Sequence, residues 1–279
     1  MKLLNCENYN LVIEPLKKVE FNHLFAQAVV EQKIPGRIYV DSYTSPSSFY
    51  IVHPYGMSLL FGNCKNEEFN LQLTKYLRNS ENQRNQVEWM QVYPADWSSR
   101  LSVLLEAQHC QPLKVKGTPN ITDFSSIEEH TRVNFKFNID KYSEFKAQNR
   151  SGQLEIFRTG EAEFNNMPGT VVPKFFWRDV TQFLKEGIGF TLRYNGELAC
   201  TSFAAFIEKG QLELGIETAA KYRGKGFAGF TCIALIDYCL ANKLEPVWSC
   251  RKENTGSFQL AQKLGFEPVH FHPFYKLDI

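Results

Sequence analysis

The chain has 279 residues, 43% of them apolar and 14% aromatic, enough to bury the core of one large or two ordinary domains. Lys and Arg number 31 against 30 Asp and Glu, so no global field exists to hold nucleic acid or an anionic membrane, and any cationic site must be local. Seven scattered cysteines without a C-x-x-C pair fit reduced thiols in a cytoplasm and give neither a disulfide framework nor the spacing of a metal site.

The opening Met1-Lys2-Leu3-Leu4-Asn5-Cys6 has too short an apolar stretch for a signal peptide, and none is expected. Periodicity then predicts a helix over 21–32, a strand over 37–40, and strands over 48–52 and 57–61 around the turn His53-Pro54-Tyr55-Gly56. A helix over 67–77, a strand over 87–92 and a helix over 96–107, with Asp96 placed to cap it, complete the first half. Between 108 and 173 the pattern gives no elements, only breaks at Gly117-Thr118-Pro119-Asn120 and Asn165-Asn166-Met167-Pro168-Gly169.

From Pro173 onward a helix is expected over 175–184, then strands over 189–194 and 198–206 on either side of Asn195-Gly196, the dipeptide whose positive φ suits a tight hairpin. A strand over 212–218 leads into a helix over 227–240, a strand over 247–250, and a helix over 255–264 with Asn254 as cap and Gly265 as terminator. One or two strands should fill 266–277. The helix over 227–240 is apolar nearly all round and belongs between sheet and a second layer. With Asp237 inside it, this longest apolar run falls short of the ~20 residues that cross a bilayer, so no membrane segment is expected.

The expected fold class is α/β in the α+β sense, a mixed, mostly antiparallel central sheet flanked by helices. A boundary near residue 125 would separate an N-terminal α/β domain, 1–125, from a C-terminal domain, 126–279. The second half repeats the element order of the first, which carries Gly62-Asn63-Cys64-Lys65 where the second has its glycine-rich junction. The first half is therefore either a degenerate copy of the second or an unrelated α/β cap.

That junction, Glu217 to Phe230, carries the chemistry. A strand running through Arg223-Gly224-Lys225-Gly226 straight into a helix leaves the first helical N–H groups unpaired, and glycines let an anion approach them without a Cβ in the way. Lys221, Arg223 and Lys225 add charge to the helix terminus. Neither G-x-x-x-x-G-K-[ST] nor a G-x-G-x-x-G at the start of a parallel βαβ unit is present, so triphosphatase and dinucleotide readings fall away.

Two motifs together resemble the GNAT superfamily of acyl-coenzyme A dependent N-acyltransferases. The pyrophosphate loop Q/R-x-x-G-x-G/A is matched in two frames, Lys221 to Gly226 or Arg223 to Ala228. About thirty residues on, Asn254-Thr255-Gly256-Ser257-Phe258-Gln259-Leu260-Ala261-Gln262-Lys263-Leu264-Gly265-Phe266 is similar to the family's N-x-x-A-x-x-L-Y-E-K-L-G-F. The resemblance covers residues 173 to 279, and Gly215-Ile216-Glu217-Thr218 is similar to a bacterial GNAT branch that includes an antibiotic self-resistance acetyltransferase.

What the resemblance implies is an N-acetyltransferase that moves an acetyl group from acetyl-coenzyme A to a primary amine of a small molecule by direct attack in a ternary complex, with no metal. Direct attack needs a base for the ammonium, donors for the oxyanion and an acid for the thiolate. By the same resemblance Arg223, Gly224, Lys225, Gly226, Phe227, Ala228 and Asn254 would bind the coenzyme, and Ile216 and Thr218 would hold its pantetheine arm. Glu217, at the strand's mouth, is the candidate base, against the reading of a structural ion pair with Arg223 or Lys221. Ser257 is the candidate near the sulfur, because Ala261 stands where many relatives carry the tyrosine that protonates the thiolate. That departure supports the alternative of a non-catalytic acyl-coenzyme A binding protein. A homodimer is compatible with the sequence.

Overall fold

A computed structural model of the chain describes residues 1–106, 127–149 and 154–279. The chain forms two compact units, residues 1–131 with 272–279, and residues 132–271. The expected boundary near 125 and the break at 117–120 lie outside the described residues.

In the first unit the elements follow as β1 (Lys2–Leu3), α1 (Asn10–Leu16), α2 (Leu24–Val30), β2 (Arg37–Val40), β3 (Ser48–Val52), β4 (Met57–Gly62), α3 (Glu67–Leu77), β5 (Glu88–Tyr93) and α4 (Asp96–Glu106). Strands β1 to β5 lie side by side in that order, antiparallel except for the parallel β4–β5 pair, and residues 274–277 of the final strand pair with β5. Tyr50, Leu60, Phe69, Leu73, Met90 and Trp97 close one core between sheet and helices. Asp96 is the first residue of its helix and not the cap in front of it, where its carboxylate still complements the helix dipole. The helix expected over 21–32 is confined to α2.

The second unit holds β6 (Ile127–Phe137) from Arg132 on, α5 (Ile139–Gln148), β7 (Glu155–Arg158), α6 (Glu161–Asn166), α7 (Val180–Glu186), β8 (Gly189–Tyr194), β9 (Glu197–Glu208), β10 (Gln211–Thr218), α8 (Phe227–Ala241), β11 (Glu245–Arg251), α9 (Thr255–Lys263) and β12 (Phe266–Leu277) as far as Phe271. Its sheet runs β6-β11-β10-β9-β8-β7, with β10–β11 the one parallel pairing described. This is the mixed, mostly antiparallel sheet flanked by helices that the sequence led us to expect. Asn195 and Gly196 take φ of 52° and 80° and close the β8–β9 hairpin. The helix expected over 175–184 begins later. A 3₁₀ turn occupies Pro173–Phe175, and Asp179 caps α7 by accepting from the amide of Gln182 at 2.7 Å.

Helix α8 packs Cys232, Leu235, Ile236 and Cys239 onto Leu212, Leu214 and Trp248 of the sheet, beside Leu264 and Phe266. Leu212, Leu214 and Ile216 share that face of β10, and Glu213, Gly215 and Glu217 take the other. Among the described residues no helix is long and apolar enough to cross a membrane.

Candidate active site

Strands β10 and β11 begin side by side and then part. Their register runs Gln211↔Glu245, Leu212↔Pro246 and Glu213↔Val247, and β10 continues to Thr218 without a described partner on that edge. The parting falls at a bulge. Glu213 lies opposite Phe206 and Leu214 opposite Ala204, so Ala205 is an extra residue on β9 and raises the local twist.

The hydrogen-bond phase of β10 follows from its end. The amide of Ala219 donates to the carbonyl of Ala199 at 2.9 Å. Bonded pairs alternate along an antiparallel ladder, so Glu217 and Gly215 bond to β9, while Ile216 and Thr218 turn their N–H and C=O groups to the edge that β11 has left. The carbonyl of Thr218 accepts from Nε of Arg223 at 3.2 Å.

Beyond Thr218 a 3₁₀ turn, Ala220–Tyr222, leads to Gly224 and Gly226, both at φ 78°. A Cβ built on either glycine would meet nothing within 4 Å. The positive φ is what favours glycine at both positions, and the open space beside them leaves the loop's backbone approachable. Gly226 is also the N-cap of α8, and it supplies no capping side chain. Among the described residues nothing accepts from the amides of Gly224, Lys225, Gly226, Phe227 or Ala228. Five consecutive amides at a helix N-terminus form an anion receptor.

These residues line a cleft of about 570 Å³. Thr218 and Arg223 to Gly229 form one side, and Phe145 of α5 and its C-cap Asn149 with Gly256, Gln259, Leu260 and Lys263 of α9 form the other. The sequence reading missed this second wall. The cleft residues of α9 recur at i, i+3, i+4 and i+7, a helical-face signal available once the helix was assigned.

The loop cations differ in what they touch. Lys221 pairs with Glu197, Lys225 stands 5.4 Å above the ring of Tyr194, and Arg223 reaches Oε1 of Glu217 at 3.3 Å. Phe227 is buried against Tyr194 and Tyr222, so its side chain holds the loop while its amide faces the cleft.

Glu217 lies on the face of β10 away from α8, 7% exposed and outside the cleft lining. Its Oε2 accepts from the amides of Thr170 at 2.9 Å and Val171 at 3.1 Å. Gly169 packs so closely on this carboxylate that any Cβ there would overlap Glu217 Cγ. Ile216, Asn254 and Ser257 are likewise outside the lining. Oδ1 of Asn254 accepts from the amide of Ser257 at 3.2 Å and caps α9, and Oγ of Ser257 lies 3.2 Å from Nε1 of Trp248, which donates to it. Ala261 is fully buried. Burial pushes the thiols of Cys200 and Cys250 up, away from thiolate chemistry at neutral pH. His272 stacks on Phe21 at 4.1 Å and bonds Gln91 at 2.8 Å, and Tyr275 is buried in the first unit's core.

A parallel strand pair that parts beside an uncapped helix N-terminus leaves an open strand edge next to an anion receptor. The chain belongs to the GNAT acetyltransferase family, whose sequence model matches residues 14–275. Members use acetyl-coenzyme A as co-substrate. It is 23% identical over 252 residues to a Bacillus subtilis (strain 168) protein described as an uncharacterized N-acetyltransferase, YdfB, covering 90% of this chain and 89% of that one. Among solved structures it is similar to a GCN5-related N-acetyltransferase-like protein from Streptococcus suis 89/1591, at 19% identity, TM-score 0.70 and coverage of 97% and 98%. It also shares the fold of a tandem GNAT protein from the clavulanic acid biosynthesis pathway, at 8% identity, TM-score 0.63 and coverage of 99% and 97%.

Proposed function

We propose that the chain transfers the acetyl group of acetyl-coenzyme A to a primary amine of a small molecule, with both held at once so that the amine attacks directly. The observation that carries this reading is the row of free amides from Gly224 to Ala228, open to a cleft at two glycines with room beside them. Bound there, the coenzyme supplies an activated thioester. The amides of Gly224, Lys225, Gly226, Phe227 and Ala228 hold its diphosphate, and Arg223 adds charge. Ile216 and Thr218 offer main-chain partners to the pantetheine amides along the edge that β11 vacates, as an added strand would find them. Asn254, whose Oδ1 caps α9, has Nδ2 left for the coenzyme.

Glu217 sits on the opposite face of β10, where an acceptor would meet the thioester across the parted strands. It is the base of this proposal, and it acts through Oε1. A diphosphate that draws Arg223 away frees that oxygen, while Oε2 keeps its two amide donors. Ser257 accepts from Trp248 and also bonds the thiol of Cys250, and it is the group proposed to stand near the departing sulfur.

We also read residues 1–125 as a degenerate copy of the domain 126–279. Both contain three antiparallel strands, a helix, a parallel strand and a helix in the same order. A cytoplasmic location is part of the proposal, because the described cysteines are all free.

A second reading, an acyl-coenzyme A binding protein without turnover, draws on Ala261, which has no proton to give. Mixing the protein with acetyl-coenzyme A and a panel of amines, and titrating released thiol, separates the two. Release on any amine supports transfer, and binding without release on any acceptor supports the second reading. Absence of binding defeats both.

A further inference from the structure

The two walls of the cleft do different chemistry. The glycine loop presents amides, and the facing wall presents an apolar slot with a cation at its rim. Phe145 and Leu260 both come within 4.0 Å of the position a Cβ would take on Gly229, so α5, α8 and α9 converge there on a residue with no side chain. Gln259 of α9 and Asn149, the C-cap of α5, also line the cleft. The Nδ2 of Asn149 is spent on the carbonyl of Phe145 at 2.9 Å, which leaves its Oδ1 as an acceptor. An apolar wall of a ring and a leucine, with polar groups among the lining, suits one face of a flat heteroaromatic base with polar edges.

The cations of the neighbourhood are mostly spoken for. Lys221 pairs with Glu197, Arg223 with Glu217, Lys146 with Asp237 at 2.7 Å and Lys141 with Glu267 at 2.6 Å. Lys225 leans over the ring of Tyr194. Lys263, on the last turn of α9, lines the cleft and has no carboxylate within ion-pair distance among the described residues. A cation without a carboxylate partner on the cleft wall across from the loop amides is placed for a further anionic group of the same ligand.

We propose that Lys263 reads the 3′-phosphate on the adenosine of the coenzyme, with the base lodged against Phe145 and Leu260, and so selects phosphorylated coenzyme A over nucleotides that carry only the diphosphate. The inference rests on the coenzyme reading of the cleft given above.

The test is calorimetric and needs no turnover. Kd is measured for coenzyme A and for 3′-dephospho-coenzyme A with the parent protein, Lys263→Met and Lys225→Met, at low salt. The parent should prefer coenzyme A by about tenfold, and Lys263→Met should weaken coenzyme A by about that factor while leaving the dephospho form unchanged, so that the ratio falls to about one. The proposal is overturned if Lys263→Met weakens both ligands equally, or keeps the preference, or if Lys225→Met alone abolishes it. Failure of the parent to bind either ligand overturns the coenzyme reading itself, and this proposal with it.

Discussion

Replacing Gly226 with Asp places a carboxylate at the centre of the amide cradle. No atom lies within 4 Å of the position its Cβ would take, so the folded protein has room for the side chain. The φ of 78° costs an L-residue about 1 kcal/mol, and a carboxylate at the N-terminus of α8 returns roughly 0.3–1 kcal/mol through the helix dipole. Stability should therefore move little, with a melting shift of about 2 °C or less. Binding is another matter. With ~5 Å between the carboxylate and each of two phosphate charges, and an effective dielectric of ~40 in a half-open cleft, the repulsion is about 3 kcal/mol, or on the order of 150-fold in Kd. Titration calorimetry with coenzyme A, alongside a thermal melt, measures both quantities. If Gly226→Asp bound coenzyme as the parent does, or lost binding only together with its fold, the diphosphate would not sit on these amides.

Glu217→Gln keeps an oxygen for the amides of Thr170 and Val171 and removes the basic group. The rate should fall by about 100-fold or more with a changed pH profile, while the Kd for coenzyme A stays within about twofold, and an unchanged rate removes Glu217 as base. Gly169→Ala forces a side chain into Glu217 at φ 129° and should cost about 2–3 kcal/mol in urea denaturation, so an unmoved midpoint would refute the close packing. His53 is fully buried, accepts from the amide of Tyr55 at 3.1 Å, and has its pKa lowered by burial to about 3 from 6.5. Its neutral form is the folded one, so stability is full above pH 6.5 and drains as pH falls toward 3, by about 1.4 kcal/mol per pH unit. His53→Asn keeps an acceptor for Tyr55 and should lose about 2 kcal/mol less than the parent between pH 6.5 and 5, and parallel denaturation curves would contradict the assignment.

What could be read from the sequence was what local chemistry decides. Gly224, Gly226 and Asn195-Gly196 take the positive φ that their residue types favour, and Asn254 caps the helix it precedes. Strands β2, β3 and β8 alternate cleanly or are flanked by turn residues, and their ends fall where expected. The segment that gave no elements contains β6, α5, β7 and α6. In β6 the core takes only Val133, Phe135 and Phe137, after a run of Glu128, Glu129, His130 and Arg132 that hides the alternation. Helix α5 is mostly polar, with Tyr142 its one fully buried residue, so the wall it gives the cleft leaves little trace in hydrophobic period. The parting of β10 from β11 is a tertiary property, fixed by a bulge on a third strand, and no local pattern could announce it.

The same order of elements without an open glycine loop stands in the first unit, and the comparison supports the role proposed for the glycines. Strands β4 and β5 stay paired along their length, from Met57↔Trp89 to Phe61↔Tyr93, so no edge of β4 is left open where β10 opens. A Cβ on Gly62 would run into the carbonyl of Ser47, so its positive φ serves packing and not access. The helix that follows is capped by its own chain, with Oδ1 of Asn66 accepting from the amide of Phe69 at 3.0 Å. Glu67 and Glu68 then fill the first turn with negative charge. Asp41 accepts from the amides of Ser47 at 2.8 Å and Ser48 at 3.1 Å and from Nδ2 of Asn66 at 3.1 Å, so a carboxylate of the protein already occupies the ground before that helix. A diphosphate brought there would meet like charge and satisfied donors. In the second unit Gly226 leaves the helix uncapped, at a cost that burial of α8 against the sheet can carry and that a bound anion would remove. On the proposed reading, the coenzyme therefore binds on the α8 side of β10 and not at the corresponding helix of the first unit.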